Sequence, residues 1–117
     1  METKTIKTDL KCCAMKSKKG YCPKPLELAS SYLSKKWTIS IIITIGNFSK
    51  LRFNDLLKRL GTTAKTLSNR LKELEREKIV KKEIFNEIPL KVEYSLTKNG
   101  KKLLKSLHPL IHWAEKQ

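Results

Sequence analysis

From Leu51 onward the apolar positions fall into clear periods. In RFNDLLKRL, Phe53, Leu56, Leu57 and Leu60 recur at helical spacing, with Lys58 and Arg59 outside the stripe. Gly61 follows as a helix stop, because glycine enters the left-handed cap conformation freely. Thr62 or Thr63 then opens a second helix, its hydroxyl placed to accept from the free amides of the first turn. Along AKTLSNRLKELEREK, Ala64, Leu67, Leu71 and Leu74 return at intervals of three and four and are expected to face inward. Two helices joined through a glycine turn form a helix-turn-helix pattern.

After Lys78 the period shortens to two. Val80–Phe85 and Val92–Leu96 read as strands, with Val92, Tyr94 and Leu96 alternating against Glu93 and Ser95. Between them NEIPLK is a loop, because Pro89 does not suit a central strand. A hairpin placed directly after a helix-turn-helix is a wing. Thr97 caps a last helix that carries Leu103, Leu104, Leu107, Leu110 and Ile111, and Pro109 is expected to kink or split it. Upstream, Pro25 starts a short helix with Leu26, Ala29 and Leu33 on one face. The segment KKWTISIIITIGNF has two readings: its β-branched run favours a strand, while its all-round apolar character suits a buried central helix. The expected fold is therefore mainly α with a small β-hairpin wing, an α+β winged helix-turn-helix over residues 24–117. Residues 1–23, rich in lysine and without periodicity, read as a mobile basic arm.

Composition sharpens this picture. A chain of 117 residues supports one modest core. With 39% hydrophobic and 32% charged residues it is neither a membrane protein nor a low-hydrophobicity disordered chain. The longest apolar run, Ile39–Ile45, is interrupted by Ser40 and Thr44 and is too short for a bilayer. The N-terminus lacks a signal-peptide pattern, so a cytoplasmic location is expected. Lys and Arg number 26 against 11 Asp and Glu, a formal charge of +15. That excess calls for an anionic partner, nucleic acid foremost, although charge alone does not choose between DNA, RNA and an anionic membrane.

The candidate chemistry sits on the helix that opens at Thr63. With its leucines inward, the opposite surface presents Lys65, Thr66, Ser68, Asn69 and Lys72, with Arg70 on the flank. From Thr62 through Lys72 there is no acid, and Glu73, Glu75 and Glu77 all come later. Acids usually collect in a first turn to complement the helix dipole. A basic and polar N-terminal half instead suits phosphates and base edges. Lys65 and Lys72 fit phosphate contacts, whereas Asn69 and Arg70 can bond bidentately to adenine and guanine edges. The ordinary alternative is a solvated helix face. On the wing, Lys91 near the tip and Lys81 and Lys82 on the first strand can follow the phosphate backbone, while Glu87 opposes deep insertion.

Three cysteines, Cys12, Cys13 and Cys22, do not make a secreted disulfide framework. Cys22 precedes a helix start between Lys19 and Lys24, surroundings that favour the thiolate, although a free cysteine is often only a small buried residue. No metal site is expected, since adjacent cysteines miss the usual spacing, Pro109 disturbs the geometry of His108 and His112, and no acid is expected to complete a ligand set with them. No nucleophile elbow, phosphate loop or convergent carboxylate pair is present, so neither enzymatic activity nor a cofactor is expected.

The pieces CP at 22–23, KW at 36–37, LRFNDL at 51–56, TLSNRLKELE at 66–75, VEYSLTKNG at 92–100 and the late Trp113, in that order, resemble the HxlR-type regulators. These are a branch of the MarR-like winged-helix proteins, and the resemblance spans about residues 22–114. It implies that the isoleucine-rich segment is a buried helix. It also implies a homodimer joined through the first and last helices, placing Leu26, Leu103, Leu107, Leu110, Ile111 and Trp113 at the interface. A small domain cannot bury both faces of such a terminal helix, which gives the dimer a physical motive of its own. Two-fold symmetry would set two recognition helices about one DNA turn apart. Several family members sense oxidants or electrophiles through a cysteine matching Cys22, where this chain adds Cys12 and Cys13 as resolving partners or bystanders.

The function expected is therefore sequence-specific binding to double-stranded DNA by a homodimeric transcriptional regulator, with repression favoured over activation on family grounds. A non-specific DNA coat or RNA-binding protein is the main alternative, and a protein-interaction module without DNA binding is a third. RNA recognition wants exposed aromatics for stacking, whereas Trp37, Phe48, Phe53 and Tyr94 all read as core.

Overall fold

A computed structural model describes residues 21–117, which divide into two units meeting between Lys36 and Trp37. Most of the basic arm, with Cys12 and Cys13, lies outside the described residues. The first unit contains helix α1 (Lys24–Leu33). Pro23 and Pro25 open it, their fixed φ and missing amide being tolerated where a helix has free donors anyway. Glu27 stands in the first turn, 3.9 Å from the Lys24 ammonium, and none of the α1 residues is buried.

The second unit, Trp37–Gln117, runs α2 (Thr38–Phe48), β1 (Lys50–Arg52), α3 (Phe53–Leu60), α4 (Ala64–Arg76), β2 (Val80–Phe85), β3 (Lys91–Leu96) and α5 (Lys98–Glu115). The strands form an antiparallel sheet in the order β1-β3-β2, with Leu51 opposite Tyr94, and Val80 opposite Leu96. Five helices and this sheet among the described residues make an α+β winged helix-turn-helix, with α3 and α4 as the helix pair and β2–β3 as the wing.

The isoleucine-rich segment is α2. Ile41, Ile42 and Ile45 are fully buried on one stripe, so packing decides against their strand propensity. The helix is not covered all round, however: Ile39 and Phe48 are exposed. Phe48 is thus not core, and the Arg59 guanidinium stacks on its ring, 3.9 Å from the centroid. Leu56 of α3 and Leu67, Leu71 and Leu74 of α4 complete the central apolar layer with Ile79 and Val80. Ala64, expected inward, is exposed at the first helical position.

Three further expectations change. β1 had no periodic signal, being three residues long, yet its Leu51 is buried between exposed Lys50 and Arg52. The alternation along β3 fails at its end, where Tyr94, Ser95 and Leu96 are all buried because this central strand is covered on both faces. Pro109 does not split α5, which runs from Lys98 to Glu115; the ring removes one amide donor without ending the helix.

The element ends explain the tight connections. Gly61 closes α3 at φ 72°, with its amide on the Leu57 carbonyl at 2.9 Å. α4 ends in a Schellman turn: Lys78, at φ 62°, donates to the Glu75 carbonyl, and Ile79 donates to that of Leu74. The amide of Thr97 then donates to the Ile79 carbonyl at 3.0 Å. A Cβ added at Gly100 would collide with that same carbonyl oxygen, which explains glycine in the first turn of α5.

Candidate DNA-recognition surface

Helix α4 begins where Thr63, in an extended conformation, takes the cap. Its Oγ1 accepts from the Thr66 amide at 3.2 Å and donates to the Thr66 hydroxyl oxygen at 3.0 Å. The cap thus leaves free amides at the helix entrance and links two of the expected contact residues to each other. The first turn holds no acid, and the single basic residue of the last turn is Arg76. The positive end of the dipole therefore faces outward uncompensated.

Along the exposed side, Lys65, Asn69 and Lys72 are exposed, while Thr66, Ser68 and Arg70 are half-buried. Arg70 is already engaged within the chain, as is Glu73. A bidentate contact by Arg70 must therefore displace an existing interaction, whereas Asn69 is exposed and has no hydrogen-bond partner among the described residues. Opposite this surface, Leu67, Leu71 and Leu74 are within 1% of complete burial, which fixes the helix rotation.

The wing is less cationic than its sequence reads. Lys91, half-buried at the start of β3, lies 3.5 Å from a Glu93 carboxylate oxygen and 5.2 Å from the Phe85 ring centroid. Sequence reasoning overlooked Glu93 as its partner, though residues two apart on a strand share a face. Lys81 and Lys82 on β2 are exposed, and Ile88 and Leu90 project at the tip. Behind α4, burial of the Tyr94 phenol together with the nearby Glu75 carboxylate raises its pKa above the ordinary 10.0.

The expected interface residues separate into three groups. Leu26, Leu110 and Trp113 are exposed, Leu103 and Ile111 are half-buried, and Leu107 is 9% exposed within its own chain. Leu107 thus packs into the core of the chain that carries it. Cys22 is half-buried, just ahead of α1, and engaged within the chain. His112 lies 3.7 Å from Glu115, and no cluster of three metal-ligating side chains occurs among the described residues. No helix among them is long and apolar enough to cross a membrane.

Comparison with known proteins agrees with this geometry. The family model described as HxlR-like helix-turn-helix matches residues 32–117. The HTH-type transcriptional regulator BH0655 of Halalkalibacterium halodurans is 40% identical over 93 residues, covering 79% of this chain and 82% of its own. A crystal structure from Enterococcus faecalis V583, assigned to the MarR family of transcriptional regulators, superposes with a TM-score of 0.74 at 36% identity, covering 88% of this chain and 91% of the other. The reduced form of the regulator YodB from Bacillus subtilis gives 0.72 at 35% identity, covering 83% and 94%. Its diamide-treated form gives 0.67, covering 82% and 94%. These proteins are regulators rather than enzymes. The chain accordingly belongs to the HxlR-like helix-turn-helix family of transcriptional regulators, within the MarR-like winged-helix group.

Proposed function

We propose that the chain binds a specific sequence in double-stranded DNA as a homodimeric repressor, with residues 24–117 working as one winged helix-turn-helix regulator. The observation that carries this reading is α4: a leucine-backed helix whose exposed entrance is capped by Thr63 and free of acids. Asn69 reads a base edge, Lys65 and Lys72 hold phosphates, and Thr66, Ser68 and Arg70 border the contact. Lys91 serves the wing only in part, because Glu93 already offsets its charge. Exposed Leu110 and Trp113 on α5 support a dimer interface completed by Leu26, Leu103 and Ile111.

Binding to cognate and scrambled duplexes tests the assignment. Asn69→Ala should cost about 1–3 kcal/mol on the cognate site and relax discrimination at one base pair, whereas Lys65→Ala should weaken both duplexes alike and flatten the salt slope. Equal losses on both duplexes for both variants would remove α4 as the reading helix.

Oxidant control through Cys22 is the finer part of the proposal. It is supported by the half-buried position of the thiol ahead of α1 and by the solved structures of YodB in reduced and diamide-treated forms. Diamide should change DNA affinity in the native protein and leave Cys22→Ser unchanged. A Cys22→Ser protein that still responds would exclude Cys22 as the sensor.

A further inference from the structure

Away from the exposed side of α4, the second unit contains a pocket of about 340 Å³ between α2, the sheet and the start of α5. Its floor is one row across the sheet. Ser95 of β3 pairs with Lys50 of β1 on one side and with Lys81 of β2 on the other, so all three side chains leave the same face. The two lysines stand two strand spacings apart, about 10 Å. Lys101 of α5 adds a third ammonium group to the lining.

These charges are not balanced within the fold. Lys50 has Glu83 at 3.8 Å, but neither Lys81 nor Lys101 has an ion-pair partner among the described residues. Cations gathered around one concavity repel one another, and a single anion with two negative charges relieves all of them. Ser95 adds a second observation: it is 7% exposed and its hydroxyl has no hydrogen-bond partner among the described residues. The fold thus buries a polar group that it does not use, at the centre of the cationic row. The rest of the lining is mostly apolar, made by Ile45, Gly46, Leu96 and Leu104, with Ser49 as a further polar residue. The volume falls at the small end of the range for ligand pockets, room for one ring and a head group.

We propose that this pocket binds a small organic dianion, a phosphate monoester on a single apolar group, with Lys81 and Lys101 holding the phosphate beside Ser95. As an effector site it rests on the regulator reading; as a binding site it does not, and binding is therefore read on the protein without DNA.

Titration with phenyl phosphate, followed by calorimetry and amide chemical shifts, tests it against inorganic phosphate and benzyl alcohol. Phenyl phosphate should bind once per chain and more tightly than either control, shifting amides of β3 and the first turn of α5. Lys81→Gln and Lys101→Gln should each weaken binding about tenfold, and Lys116→Gln, at the exposed C-terminus, should not. Ser95→Ala, a smaller change within the row, should weaken it less than either lysine variant. Absence of binding, equal affinity for inorganic phosphate, or equal losses in Lys116→Gln would overturn the proposal. So would lysine variants that lose only DNA affinity, because the cations would then serve duplex phosphates.

Discussion

The Thr97 hydroxyl donates to the Lys78 carbonyl at 2.6 Å while accepting from the Gly100 amide at 2.9 Å. One side chain therefore caps α5 and ties it to the turn that ends α4. Thr97→Ala removes both bonds and should cost about 1–2 kcal/mol, read as a lower urea midpoint at unchanged slope. Thr97→Ser keeps the hydroxyl and should recover most of the loss. Equal losses in the two variants would assign the effect to the methyl group instead.

Lys78 holds a left-handed conformation at φ 62°, where a side chain is strained. Lys78→Gly should therefore stabilise the protein by about 0.5–1 kcal/mol, the relief outweighing the extra freedom glycine gains in the unfolded chain. Because Lys78 lies beyond the acid-free entrance of α4, DNA affinity should stay unchanged. Thermal unfolding and a binding titration of the same sample check both halves.

Tyr94 gives the protein an alkaline dependence with a defined sign. Its folded pKa lies above the ordinary 10.0, first through burial and then through Glu75, so the folded state holds the phenolic proton more tightly than the unfolded chain. The resulting stabilisation is fully present below the ordinary value and is lost as pH rises through the folded one. Tyr94→Phe should remove this component. The difference in urea midpoint between native protein and variant should thus change between about pH 8 and about pH 11. A difference that stays constant would refute it.

Exposed Leu110 and Trp113 give the proposed dimer a direct test. Replacing both by serine should convert dimer to monomer in light scattering. Secondary structure should persist, because neither side chain belongs to the core of its own chain. A dimer that survives the double substitution would place the interface elsewhere.

The helix-turn-helix was legible because its signals are local: leucines at helical spacing, Gly61 at a left-handed cap and Thr63 at the entrance of the second helix. β1 was not, since three residues carry no period and Lys50–Arg52 become a strand only by pairing with β3. The isoleucine-rich segment had to remain ambiguous, because burial of Ile41, Ile42 and Ile45 by distant elements decides a contest that propensity alone would lose. The candidate surface was readable for residue type and helix face, but not for engagement. Nothing in the order of residues discloses that Arg70 is occupied or that Phe48 lies under Arg59. Nor does any local pattern join Lys50, Lys81 and Lys101, which lie on three different elements and meet only in the folded chain.

The close approach of Gly100 to the Ile79 carbonyl leaves no room for a side chain where the end of α4 meets the start of α5. A side chain at position 100 would have to push the two helix ends apart. In the proposed dimer, a twist imposed on the start of α5 would reach the end of α4 through this contact, and the separation of the two α4 helices would change with it.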